Sequence, residues 1–165
     1  MQENFNSAKI KLIIGLGNSG KDYANTYHNA GSLFIDRLKT AALFHKAAQI
    51  IRSGAFMNES GNFVKKEIKK RNLPPSALLV VQDDSDIAIG AYKLSFDRGA
   101  AGHKGVASIV KALGTEKFWR LRIGIRPKNA KARAKAGEFV LKKISAGDKK
   151  ELAAVFEETT QVLLL

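Results

Sequence analysis

The sequence predicts an α/β fold: a single-domain, three-layer sandwich in which helices flank a mixed, mainly parallel, twisted sheet. Short apolar runs typical of buried strands alternate along the chain with longer segments of helical periodicity. The length of 165 residues suits one domain with a full core and is too short for two ordinary domains. Apolar residues make up 45% and charged residues 26%, which is a globular composition.

The first half of the chain contains two predicted strands and two predicted helices. Residues 9–14 (KIKLII) end in an apolar run that stops at glycine, which predicts a buried strand. Residues 29 to about 47 and residues 61–71 carry apolar side chains at helical spacing. Residues 78–82, entered through two prolines, predict a second buried strand.

The second half continues the alternation. Residues 87–96 predict extended chain with a turn near Gly90, and residues 106–113 predict a short helix. Residues 119–125 alternate well enough to form a strand, and residues 146–165 predict a terminal helix.

Several protein classes are disfavoured by composition. The chain has no cysteine, which removes disulfides and thiolate chemistry and suits a reducing compartment. No apolar run approaches the ~20 residues of a membrane span, and the first nine residues lack the layout of a secretory signal. We therefore expect a soluble, cytoplasmic protein without membrane contact, with an organellar location as the alternative.

Positive charge is concentrated in one segment. Residues 98–150 contain 15 Lys and Arg against Glu116, Glu138 and Asp148, so this segment carries +12 of the net charge of +13. Such asymmetry favours a polyanionic partner, although a solvated face is an equal alternative on charge alone. Few aromatic residues interrupt the segment, so binding to phosphates is favoured over stacking of single-stranded bases.

Residues 15–20 (GLGNSG) match the glycine pattern of dinucleotide-binding turns, and Asp36 lies at about the right distance for a ribose contact. In that fold, however, the helix begins at the glycines. Here helical periodicity begins only near Asn29, and Asp36 falls inside the helix. The pattern therefore favours a tight turn that lets the backbone approach a substrate closely.

Polar side chains follow both predicted buried strands. Asn18, Tyr23, His28 and Asn29 lie between the first strand and the first helix, and Asp83 follows the second strand. Because ligands bind at this edge of an open sheet, the two segments are expected to meet. A carboxylate beside His28 would fix its tautomer and make it a general base. The alternative is that His28 is an ordinary residue at a helix entry.

Three further features allow more than one interpretation. Asp83, Asp84 and Asp86 offer oxygen ligands for Mg²⁺ or are simply solvated loop acids. In residues 56–61 (FMNESG), the Asn58 amide is placed to position a carbonyl or a water. Residues 99–105 (GAAGHKG) open a helix whose N-terminal amides, with Lys104, favour anions.

Taken together and in order, these segments resemble the bacterial-type peptidyl-tRNA hydrolases. The matching stretches are GLGNSGKDYANTYHNAG (15–31), FMNESG (56–61), VVQDDSDIAIGAYKLSF (80–96), GAAGHKG (99–105), LGTEKFWRLRIGIRP (113–127) and GEFVL (137–141). Each motif alone is weak, but the ordered set is highly specific and spans nearly the whole chain.

The resemblance implies a single α/β domain, a monomer, that cleaves the ester between a peptide and the tRNA 3′ ribose. No metal or organic cofactor is implied. The implied roles fall on eight positions: His28 as the base that activates water, Asp83 as its orienting carboxylate, Asn18 and Asn58 as substrate and oxyanion contacts, Tyr23 and Met57 as cleft lining, His103 as a rim residue, and Arg122 as a contact to acceptor-stem phosphates. Ala107 stands where the family commonly has a lysine, so we expect Lys104 or Lys111 to contact substrate phosphate in its place.

The chain departs from the family pattern at Ser19, Tyr27, Ser85 and Lys104, where the family usually has Pro, Arg, Leu and Asn. About 18 residues, including family strand, are expected to be missing between residues 36 and 56, and the last helix is expected to be truncated. These departures keep two alternatives open. One is a non-hydrolytic RNA-binding relative of the same fold, associated with splicing or the ribosome, and the other is Mg²⁺-dependent phosphodiester cleavage.

Overall fold

The computed structural model describes residues 4–41, 48–129 and 136–164. In chain order its main elements are β1 (Leu12–Gly15), α1 (Ala30–Thr40), β2 (Gln49–Arg52), α2 (Ser60–Arg71), β3 (Leu78–Ala88), β4 (Tyr92–Phe96), α3 (Lys104–Leu113), β5 (Trp119–Arg126), α4 (Ala136–Phe139) and α5 (Ala146–Leu164). Single turns of 3₁₀ helix precede α1, α2 and β3. No helix among these residues is both long and apolar enough to cross a bilayer.

The strands form one five-stranded sheet in the order β2-β1-β3-β5-β4. All neighbouring strands run parallel except β4, which follows β3 after the turn at Gly90 and pairs antiparallel with β5. The connection after β1 leads outward to the edge strand β2, and the connection after β2 leads back past β1 to β3. The strand order therefore reverses between β1 and β3, and open α/β sheets bind ligands at the carboxyl ends of such strands.

Apolar side chains cover both faces of the sheet and form two cores. One core joins the sheet to α1 and α5 and contains Phe34, Val81 and Phe156. The other joins it to α2 and α3 and contains Val80 and Val106. Central strands that alternate between two buried faces read as continuous apolar runs, which explains the LLVV sequence at the start of β3. The predicted three-layer α/β sandwich is confirmed.

Strands β2 and β3 differ from the prediction. β3 continues six residues beyond Gln82, because its polar end still pairs with β5, with Asp83 opposite Ile123 and Asp84 opposite Gly124. β2 was not predicted, because a four-residue, half-exposed edge strand has no apolar run to identify it. It lies within the interval where the family strand was expected to be missing.

The end of α2 agrees with the prediction and the end of α1 does not. α1 ends at Thr40, where Ala41 is already extended, although the helix was predicted to continue to about residue 47; residues 42–47 lie outside the described residues. α2 ends at Arg71, and its C-cap Asn72 has a φ of 51°, a left-handed conformation that asparagine tolerates better than most residues. Residue 165 also lies outside the described part.

The glycine-rich turn serves helix packing. A Cβ on Gly15 would lie 2.3 Å from the carbonyl oxygen of Gly31, and a Cβ on Gly31 would lie 2.2 Å from that of Val81. α1 therefore rests directly on the backbone of β1 and β3. The close approach expected at this turn is made to α1, and it fixes the start of α1 above the sheet edge.

A second close contact joins α2 to α3. The Gly61 amide donates to Ser108 Oγ at 2.9 Å, and that hydroxyl donates to the carbonyl of Asn58 at 2.9 Å. A Cβ on Gly61 would lie 2.1 Å from the Ser108 carbonyl oxygen. The contact holds the turn that carries Met57 and Asn58 beside the start of α3.

We expect Gly61→Ala to lower the free energy of unfolding by about 1–3 kcal/mol, because the added methyl group forces α2 and α3 apart. Urea denaturation measures the change. Gly147→Ala is the matched control, since a Cβ there meets no atom within 4 Å and α5 gains a better helix former. Equal stability of the two variants would contradict the α2–α3 contact.

Candidate active site

A cavity of about 770 Å³ opens at the carboxyl ends of β1 and β3. Every site residue predicted from the sequence lines it except Arg122: Asn18, Tyr23, His28, Met57, Asn58, Asp83, His103 and Lys104. A larger groove, about 940 Å³, lies around Trp119 at the opposite end of the sheet. Its described lining contains one carboxylate and no histidine, so the chemistry-bearing residues belong to the first cavity.

His28 and Asp83 form the pair expected from the sequence. His28 Nδ1 lies 2.9 Å from both carboxylate oxygens of Asp83. An ionised carboxylate only accepts hydrogen bonds, so Nδ1 carries the proton and Nε2 is the basic nitrogen left to the cavity. The His28 backbone N–H donates to the carbonyl of Val140 at 2.8 Å, which fixes the residue at the turn before α1.

Asp83 holds a second imidazole. His103 Nε2 lies 3.0 Å from Asp83 Oδ1, and only 8% of the His103 side chain is exposed. His103 is also the N-cap of α3, where its Nδ1 accepts from the amides of Gly105 and Val106 at 3.1 and 3.2 Å. His103 lines the cavity as the sequence predicted, but it lies deep against Asp83.

The two amides face the cavity in different ways. Asn18 Oδ1 accepts from the Met57 amide at 2.9 Å, which turns the Asn18 NH₂ group toward the remaining space. The Asn18 backbone exchanges two hydrogen bonds with the Asn29 side chain, at 2.8 and 2.9 Å. Asn58 is exposed and borders the cavity beside Met57.

Part of the cavity lining is apolar. Tyr23 meets Phe56 edge to face with ring centroids 6.2 Å apart, and Phe56 is 47% exposed. Val140 and Leu141 also line the cavity, and Leu141 is 48% exposed. These are the exposed large hydrophobic side chains of the described chain, and both border the same cavity.

Phe56 and Leu141 were not predicted as site residues. Asn29, which the sequence placed at this edge of the sheet, supports Asn18 and does not line the cavity. Phe56 and Leu141 are single apolar residues, which in most sequences are core filler, so only their exposure beside the cavity identifies them.

Arg122 lies outside the cavity lining. Its Nε donates to Asp84 Oδ2 at 2.7 Å, and its side chain is 18% exposed. Arg120 beside it is buried, and burial lowers its pKa to about 10, so it remains charged at neutral pH. Its guanidinium donates to the carbonyl of Gly99 at 2.9 Å and so supports the loop that leads to His103.

Three titratable side chains of the cavity lie close enough together to share a metal ion. Among the described residues, His28, Asp83 and His103 place three ligand atoms within 4.8 Å of one another. Nδ1 of His103 accepts two amide N–H groups, so the ring proton lies on Nε2, the atom that would have to bind the ion. Asp84 is paired with Arg122. These pairings disfavour the magnesium alternative.

Burial by itself raises the pKa of Asp83, but the charges and hydrogen bonds of His28 and His103 outweigh burial and hold that pKa below its ordinary value of 3.8. A carboxyl with a lowered folded-state pKa contributes stability above its unfolded-state pKa and loses it as pH falls through the folded-state value. Asp83 therefore stabilises the fold above about pH 4 and stops doing so on acidification.

We expect the wild type to lose more unfolding free energy than Asp83→Asn when the pH is lowered from about 5 to about 2. Chemical denaturation at a series of pH values measures both slopes. Glu157→Gln is the control. The hydrogen bond to Arg37 also lowers the pKa of Glu157, but both side chains are more than half exposed, so this ion pair adds little to the free energy of unfolding. Parallel slopes for wild type and Asp83→Asn would refute the assignment.

Known proteins are similar to this chain in sequence and in fold. The sequence model for peptidyl-tRNA hydrolase matches residues 12–165. The peptidyl-tRNA hydrolase of Aquifex aeolicus (strain VF5) is 36% identical over 173 aligned positions, covering 94% of this chain and 88% of that protein. That of Thiobacillus denitrificans (strain ATCC 25259 / T1) is 37% identical over 172 positions, covering 96% and 84%.

The crystal structure of peptidyl-tRNA hydrolase from Acinetobacter baumannii superimposes with a TM-score of 0.79 at 27% identity, covering 97% of this chain and 89% of that one. Sequence match and fold thus agree over nearly the same residues. This chain therefore belongs to the peptidyl-tRNA hydrolase family.

Proposed function

We propose that this protein hydrolyses the ester bond between a peptide and the 3′ ribose of tRNA, with His28 as the base that activates water. The observation that carries the proposal is the geometry of His28: Asp83 holds Nδ1, so Nε2 is left to a cavity that also contains the Asn18 amide. The family relatives, named peptidyl-tRNA hydrolases, supply the substrate class.

The first step is a proton transfer coupled to attack. Nε2 of His28 takes a proton from a water molecule, whose oxygen bonds to the ester carbonyl carbon. The imidazolium that forms is stabilised by the Asp83 carboxylate, which keeps its negative charge throughout. When the tetrahedral intermediate collapses, the bond to the 3′ oxygen breaks and His28 returns its proton to that oxygen.

The carbonyl oxygen becomes negatively charged during attack, and preorganised donors lower the energy of that charge. The Asn18 NH₂ group is oriented for this role, because its own oxygen is held by the Met57 amide. Asn58 offers a second amide from the neighbouring turn. Loss of one such donor typically costs about 10²–10³ in kcat.

The substrate has an apolar part and an anionic part, and the cavity offers a surface to each. Tyr23, Phe56 and Leu141 contribute apolar lining suited to a base or an apolar peptide side chain. Lys104 is exposed at the cavity edge, where its ammonium group can bind a phosphate of the tRNA acceptor end. Arg122 and the remaining basic segment add to the attraction for tRNA.

We expect His28→Ala to lower kcat/KM for peptidyl-tRNA by about 10²–10⁴, because the general base is removed. Release of peptide from purified peptidyl-tRNA is the measurement. Tyr92→Phe is a suitable control, since Tyr92 lies on the edge strand β4 and its hydroxyl contacts Glu158 of α5. Equal rates for wild type and His28→Ala would contradict the role of His28 as the base. Tight RNA binding by the wild type without turnover would favour the alternative of a non-hydrolytic RNA-binding relative.

We expect Lys104→Ala to reduce the salt dependence of tRNA binding by about 0.7 in the slope of log K against log salt, the amount lost with one contact to a single-stranded phosphate. Fluorescence titration of labelled tRNA at several salt concentrations gives the slope. Lys39→Ala, an exposed cation on α1, should leave it unchanged. An unchanged slope for Lys104→Ala would show that this cation does not contact phosphate.

A further inference from the structure

The His103 ring contacts both the N-terminus of α3 and the Asp83 carboxylate. One side of its ring faces the start of α3 and the other faces Asp83. Its ring centroid is 5.0 Å from that of His28, and the two planes are inclined by 46°. The mechanism above uses His28 and Asp83 but leaves this second buried imidazole without a role.

The hydrogen bonds of His103 determine where its proton is. The amides of Gly105 and Val106 can only donate, so the nitrogen that faces them, Nδ1, must accept. A neutral imidazole carries one proton, which therefore lies on Nε2 and is donated to Asp83 Oδ1 at 3.0 Å. The tautomer is thus set by the backbone of α3.

Asp83 consequently receives N–H groups from two directions, one from the turn before α1 and one from α3. The two imidazole nitrogens lie 2.9 and 3.0 Å from the same oxygen, Oδ1. The Asp83 side chain is 3% exposed, so no bulk water competes with these donors. A carboxylate that accepts two fixed N–H groups cannot rotate away from His28, and it shares its charge between them.

We propose that His103 is a positioning residue for the hydrolytic reaction, which fixes Asp83 toward His28 and moderates the pull of that carboxylate on the His28 proton. It does so by connecting the positive N-terminus of α3 to Asp83 through one imidazole. The proposal rests on the proposed function of His28 as the base. His103 is inferred to act through Asp83, without contact to the scissile bond.

Besides the two histidines and Asp83, the titratable side chains among the described lining of the cavity are those of Tyr23, Asp84 and Lys104. Lys104 borders the cavity from the first turn of α3, and Asp84 is neutralised by Arg122 of β5. Gly137, Val140 and Leu141 line the cavity, whereas the exposed Glu138 between them does not. The pH dependence of the reaction therefore reports chiefly on His28, Asp83 and His103.

Two substitutions separate the roles of the ring nitrogens. Asparagine is a preferred N-cap, and its side-chain oxygen matches the near edge of the imidazole, but it has no atom at the position of Nε2. His103→Asn therefore keeps the cap of α3 and loses the bond to Asp83. Glutamine places an NH₂ group near the position of Nε2 but lacks the near acceptor, so His103→Gln keeps the Asp83 bond and loses the cap.

We expect the acid limb of the pH profile of kcat/KM to move up by about 0.5–1 pH unit in His103→Asn, because Asp83 then holds the protonated form of His28 more strongly. Below that limb kcat/KM falls about 3–10-fold, and Tm falls as well because the buried Asp83 carboxylate loses one of its donors. In His103→Gln we expect a pH profile near that of the wild type, and a Tm lower by about 2–4 °C from the lost cap.

A merely structural role would make both variants lose activity in proportion to Tm, with unmoved pH profiles, and that result would overturn the proposal. Imidazole nitrogen NMR provides a readout that needs no turnover. We expect His103 to carry its proton on Nε2 in the wild type, and protonation on Nδ1 would overturn the proposal. If the wild type shows the expected tautomer but no peptidyl-tRNA cleavage, the proposed function fails while the geometry of His103 stands.

Discussion

A carboxylate removed from water is tolerated in a folded chain only when fixed donors or charges replace its hydration. Asp83 meets this condition with two imidazole N–H groups, one on each side, and it is nearly inaccessible to solvent. Three separate parts of the chain must meet for this to happen: the end of β3, the turn before α1 and the start of α3. The other side chains of the cavity lie around this carboxylate.

The sheet topology brings these parts together. Because β1 and β3 are parallel neighbours, the segments that follow them emerge side by side at one edge. The backbone contact of α1 with β1 and β3 fixes the turn that carries His28. The contact between Gly61 and Ser108 fixes the turn that carries Met57, and the Met57 amide in turn orients Asn18. Packing of small residues thus determines the direction of the polar groups.

Electrostatics divides the basic residues of the chain into two groups. Arg120 and Arg122 are largely buried and serve the protein itself, by supporting the loop before α3 and by neutralising Asp84. Lys104 is exposed at the cavity edge, where a polyanion would first meet it. Net charge therefore indicates an attraction for nucleic acid, but it does not identify which cations contact the substrate.

The sequence by itself determined the fold class, the order of the main elements and most of the cavity residues. Segments with apolar periodicity form strands and helices because burial of those apolar side chains drives folding. Polar residues that follow parallel buried strands lie together at one edge of the sheet. The pairing of His28 with Asp83 followed from that rule. β2 was not predicted because a short edge strand is stabilised by its neighbour and carries little pattern of its own.

Only the tertiary structure decided how each polar group is used. It paired Arg122 with Asp84, exposed Phe56 and Leu141 beside the cavity, and turned His103 inward to share Asp83. Hydrogen bonds and ion pairs act over about 3 Å and depend on direction, so they are fixed by contacts between residues far apart in the chain. Spacing along the sequence does not encode those distances, which is why the residues and the pair of His28 with Asp83 were predictable and the other partners were not.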